Sequence, residues 1–181
     1  MSTLFVNNLN TASGSTITVP TGKTLVGTDS KTFRAPGMVI QETFTTYNTQ
    51  YSQTISANSY GSYIGITGTI TPTSSSNTIR GLVIVEGITL ESDGTYGWFE
   101  LRTETPSDAL VRKFGYPLGW SSDDNSQLNL PIQFTHSPNT TSAVKYRIRF
   151  YAVTGDIILR TNRDGSSYGN ESSVFLQEIQ A

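Results

Sequence analysis

The sequence predicts an all-β protein: a jelly-roll β sandwich preceded by a short N-terminal β arm. Three observations carry that prediction. Apolar and polar residues alternate with a period of two in one segment after another. Clusters of Gly, Ser, Asn, Asp and Pro separate these segments at intervals of about 8–12 residues. No stretch keeps apolar residues at helical spacing for longer than about ten residues with caps at both ends.

The segments follow in order. Thr3 to Val6, Ser15 to Val19 and Thr24 to Gly27 are short pieces with turn residues between them. They are too short to bury a core alone and read as an arm or anchoring segment. Ala35-Pro36-Gly37 punctuates the chain after them, so the boundary falls between an arm over 1–36 and a jelly-roll domain over 37–181. Met38 to Tyr47 and the weaker Tyr51 to Ala57 open the second part. Tyr63 to Thr71 places Ile64, Ile66 and Ile70 on one face, with Gly68 among them as a point of close approach or a bulge. Pro72 to Asn77 is a polar turn. Leu82 to Glu86 is a continuous apolar run, as a central strand requires. Thr95 to Glu104 follows.

Pro106 to Phe114 is the best helical candidate, although Pro106-Ser107-Asp108 also reads as a turn and Leu110 to Tyr116 as a strand. Leu128 to Thr135 aligns Leu128, Leu130, Ile132 and Phe134. The clearest strand is Val144 to Val153, with Val144, Tyr146, Ile148, Phe150 and Ala152 inward and Lys145, Arg147, Arg149 and Tyr151 outward. Ile157 to Thr161 and Ser173 to Ile179 complete a set that eight jelly-roll strands accommodate.

Composition narrows the function. The 181 residues carry a net charge of −2, which leaves no basic excess for a phosphate backbone and excludes general nucleic-acid binding. Only 14% of residues are charged, and threonine, which suits a pleated half-buried surface, occurs 27 times. Cysteine is absent, so disulfides and thiolate metal sites are excluded. No apolar run reaches the length of a transmembrane helix, and Met1 to Asn10 lacks the charged and apolar regions of an export signal. The expectation is no membrane and no cofactor.

Catalytic motifs are missing. The single histidine, His136, sits in Thr135-His136-Ser137-Pro138 and reads as a loop residue without local partners. Asp123-Asp124-Asn125 lacks the spacing of a calcium loop. Glu100, Arg102 and Glu104 share one face of a strand. Their alternation favours a cross-strand ion-pair ladder over a glycosidase carboxylate pair. Lys145, Arg147 and Arg149 form a basic row that fits Glu100 and Glu104, or acids of a neighbouring subunit. Tyr116 and Trp120, with Asp123 and Asp124 just beyond, mark a loop suited to stacking on sugar rings or packing into a partner. Equally, Trp120 could fold back to plug one end of the sandwich.

Two passages carry a family likeness. Met1-Ser2-Thr3-Leu4-Phe5-Val6-Asn7-Asn8-Leu9 with Gly14-Ser15-Thr16-Ile17-Thr18-Val19-Pro20-Thr21-Gly22-Lys23-Thr24-Leu25 resembles the N-terminal module of virion surface proteins from marine and cyanobacterial phages. Ser137 to Ile148 with Ser173 to Ile179 looks like the C-terminal jelly roll of the same group. The resemblance implies a non-catalytic homotrimer on the virion surface, assembled in the host cytoplasm. Its partners would be itself, another virion protein through residues 1–36, and a host surface glycan. The absence of a long shaft favours a short fibre-like knob or a capsid decoration. The alternative is a receptor- or carbohydrate-binding head with Tyr116, Trp120, Asp123 and Asp124 as its site. A β-sandwich hydrolase ranks last, because any triad would depend on His136 alone.

Overall fold

The structure, a computed structural model, describes residues 21–24, 26, 35–91, 96–119, 128–162 and 170–181. The chain divides into two units, Met1–Phe33 and Arg34–Ala181. In the first, Thr21 and Gly22 form a turn with Gly22 at φ 78°. The strands expected at Thr3 to Val6 and Ser15 to Val19 lie outside the described residues. Thr24 and Val26, expected within a strand, are not in one.

The second unit contains eleven described strands instead of eight, all paired antiparallel. They are β1 (Val39–Tyr47), β2 (Tyr51–Ile55), β3 (Ser59–Tyr60), β4 (Ile64–Ile70), β5 (Thr78–Glu91), β6 (Tyr96–Thr105), β7 (Leu110–Gly119), β8 (Leu128–His136), β9 (Val144–Ala152), β10 (Ile157–Thr161) and β11 (Ser172–Ile179). The first sheet runs β1-β11-β5-β10-β2, with β8 also on β5. The second runs β3-β9-β6-β7, with β4 also on β9. One of the additional strands, the two-residue β3, arises because the chain turns at Asn58, which has a φ of 56°, after β2 ends.

Side-chain alternation builds the core between the sheets. On β9 the five inward residues, Val144 to Ala152, are at most 1% exposed. On β4, Ile64, Ile66 and Ile70 are buried beside them. Gly68 shares their face and faces Val174 and Leu176 of β11 so closely that a β-carbon there would collide. Its missing side chain is what lets the two sheets approach.

β5 is the longest strand, because its partners change along its length. Thr78–Ile84 pairs with β11, Ile79–Ile88 with β8, and Thr89–Glu91 with β10. The ladder to β8 slips between Val85 and Ile88, where Gly87 takes a φ of 57°.

Two local expectations are corrected. The helical candidate is not a helix, and none occurs among the described residues: the chain bends at Pro106, 107–109 connects the strands, and β7 starts at Leu110. Phe114 explains the preference, since it must stack on Phe99 of β6, with ring centroids 5.6 Å apart. His136 is not a loop residue but the final residue of β8, paired with Ile79.

Candidate functional site

The most densely organised polar surface covers the outer face of the second sheet. It follows from strand register. Glu100 of β6 lies opposite Arg149 of β9, and Arg102 opposite Arg147. Outward positions recur every second residue, which sets Glu100 against a base, while the facing cations Arg102 and Arg147 are both held by Asp108.

Glu100 is the centre. Its side chain is 1% exposed, although it points away from the core, because other side chains roof it over. Arg149 Nη2 donates to Glu100 Oε2 at 3.0 Å and Arg102 Nη1 at 3.2 Å. Tyr60 Oη donates to Oε1 at 2.7 Å, and Lys113 Nζ stands 3.4 Å away. Burial alone would push this carboxyl up. The bonds from Tyr60, Arg149 and Arg102 outweigh it and hold the pKa below the ordinary 4.5. Buried charge of this kind needs every partner, since an unpaired member would carry the full desolvation cost.

A second cluster adjoins the first. Glu104 lies 2.8 Å from Lys145 and 3.9 Å from Arg147. Asp108 accepts from Arg102 Nε at 2.7 Å and lies 3.4 Å from Arg147. The Arg102 bond holds Asp108 below its usual range. Aromatic rings fill the gaps: Arg147 lies 3.5 Å from the Tyr63 ring centre and Arg149 3.7 Å from that of Tyr60. Trp98 stacks on Tyr151 at 4.4 Å.

The structure therefore brings together Glu100, Glu104, Lys145, Arg147 and Arg149 within one chain. Tyr60, Tyr63, Asp108 and Lys113 belong to the same surface and were missed from the sequence. Trp98 and Tyr151 could have been found, since they hold outward positions on two strands whose alternation was plain. Tyr116 lies on β7, while Trp120, Asp123 and Asp124 lie outside the described residues.

Other polar groups have structural partners. His136 Nδ1 is 2.9 Å from Tyr146 Oη, and burial lowers the histidine pKa. Glu178, fully buried, accepts from Thr73 N at 2.6 Å, Thr73 Oγ1 at 2.9 Å, Asn77 Nδ2 at 2.6 Å and Gln41 Nε2 at 2.6 Å. It pins the Pro72 to Asn77 turn to β1 and β11. No group of three His, Cys, Asp or Glu side chains with metal-binding geometry occurs among the described residues.

A cavity of about 280 Å³ opens between the β1–β2 turn, β4 and the end of β10. Tyr47, Thr49, Gln50, Tyr51, Gly65, Ile66, Thr161 and Asn162 line it, all uncharged. The hydroxyls of Tyr47 and Tyr51 are bonded to Thr67 and Gln53, so their rings serve as walls.

No family model matches the chain, and no curated protein sequence does. Solved structures do share its fold. The VP2 subviral particle of infectious bursal disease virus aligns with a TM-score of 0.50 and 12% identity over 86% of this chain. The Gx strain of the same virus aligns at 0.46, with 12% identity over 86%. The chain spans 37% and 36% of the lengths of those two proteins. At such identity the likeness is one of fold: this unit is an antiparallel β sandwich of the jelly-roll class.

Proposed function

We propose that the chain is a non-enzymatic structural protein of a virus particle, a homotrimeric fibre-like knob or capsid decoration of a phage. The observation that carries this reading is the sandwich itself, which shares its fold with the VP2 subviral particle over 86% of the chain. The ion-pair surface agrees with such a role. Its carboxylates are locked to cations and tyrosines, as in a durable outer face, and none is left poised for proton transfer. Residues 1–36 attach the protein to a second virion component.

Light scattering on the purified chain tests the assembly. The expected mass is three times 19.7 kDa, and a 19.7 kDa species at all concentrations would overturn the trimer. Gold labelling of intact particles, read by electron microscopy, tests the location; label confined to debris would overturn the virion assignment.

One observation favours a second reading, a receptor- or carbohydrate-binding head. The uncharged cavity combines two tyrosine rings with amide and hydroxyl groups, a lining suited to a neutral sugar. A β-carbon on Gly65 would project into open space, so Gly65→Leu fills the cavity without a backbone clash. Binding of a neutral monosaccharide by the native chain and its loss in Gly65→Leu would support the head. No binding by either would remove it.

A further inference from the structure

The outer face of the first sheet is built unlike that of the second. Register places Phe44, Phe175 and Leu82 side by side across β1, β11 and β5. Phe44, on the edge strand β1, is 66% exposed, and Leu82, on the central strand β5, is 37% exposed. Two residues along the strands, Glu42, Gln177 and Arg80 stand side by side in the same order. Gln177 separates the two charges and donates to Glu42 at 3.5 Å. Strands lie about 4.8 Å apart, so the backbones at Glu42 and Arg80 stand about 10 Å apart with Gln177 between them. Neither forms an ion pair among the described residues, whereas Arg102, Lys113, Lys145, Arg147 and Arg149 of the second sheet each have a carboxylate partner.

We propose that this β1-β11-β5 face is where copies of the chain meet, with a three-fold axis running along β11. This inference rests on the homotrimer proposed above and names its interface. The face is complementary to itself. An axis along β11 gathers the three Phe175 rings and sets each copy's Glu42 toward the next copy's Arg80. Apolar row meets apolar row, and acid meets base. A uniformly charged partner would leave one of these two charges buried and unpaired, and a purely apolar partner would leave both.

The test uses the full chain, with circular dichroism to confirm that each variant is folded. Glu42→Arg and Arg80→Glu each set like charges together, and each should weaken trimerisation at least tenfold. Combining them restores the pair and should restore the trimer. Phe44→Asp should yield monomers. A second readout does not depend on affinity. The chain has no cysteine, so Gln177→Cys should form disulfide-linked dimers across the axis on mild oxidation, while Ser142→Cys, in the loop before β9, should not. A native trimer that ignores all these substitutions and gives no Gln177→Cys cross-link would overturn this interface but leave the homotrimer standing. A native monomer would overturn both.

Discussion

At the scale of single residues, the most consequential group is Glu178. It is a buried carboxylate held by neutral donors alone among the described residues, which join Gln41, Thr73, Asn77 and β11. Burial disfavours its charge, but the hydrogen bonds from Asn77, Gln41 and Thr73 prevail and lower its pKa below the ordinary 4.5. The sign follows. A carboxyl whose folded pKa is depressed stabilises the fold fully above its unfolded value, and that contribution is lost as pH falls through the folded value. Glu100 acts in the same window and direction. Glu178→Gln should therefore cost about 1–3 kcal/mol at neutral pH. It should also flatten the fall of stability below pH 4.5. Urea midpoints measured across acidic pH check both, and an unchanged neutral midpoint would contradict the staple.

At the scale of elements, close strand contact is the sensitive feature. A β-carbon on Gly97 of β6 would overlap the Tyr151 carbonyl and the Phe150 ring of β9. Backbone cannot yield as a flexible side chain can, so Gly97→Ala should destabilise by about 1–3 kcal/mol, measurable by thermal or urea unfolding. A neutral result would mean that β6 and β9 separate more easily than their register suggests.

The legibility of each element depended on how many of its faces are buried. β9 was plain because one face is core and the other carries charge. Only Leu82 to Glu86 of β5 was visible. From Gly87 to Leu90 the strand is buried on successive residues, so no alternation marks it. Pro106 to Phe114 admits both a helical and a strand reading, and β7 from Leu110 bears out the strand, with Phe114 stacked on Phe99 of a neighbouring strand. The charged surface was half legible. Glu100 and Glu104 with the β9 row follow from alternation, but Tyr60 and Lys113 reach Glu100 only through tertiary pairing. The Glu178 donors, spread from Gln41 to Asn77, share no local spacing.

At the scale of the whole molecule, the two units make separate claims. The second has its own continuous core between two sheets, built from Arg34–Ala181. Removing Met1 to Arg34 should leave that sandwich folded, with native-like circular dichroism and a cooperative melt, while abolishing attachment to particles. Unfolding of the truncated chain would place the removed residues in the core and overturn the boundary between the two parts.

The pairing of β1 with β11 also sets an order in time. Val39 to Tyr47 emerges from the ribosome early, yet its neighbour on the sheet is Ser172 to Ile179. A ladder that distant in sequence closes slowly, and its early strand waits with an open edge. The row of Phe44, Phe175 and Leu82 does not exist until that closure happens. Nascent chains on one message therefore cannot join through it prematurely, and association is deferred until each copy has finished folding.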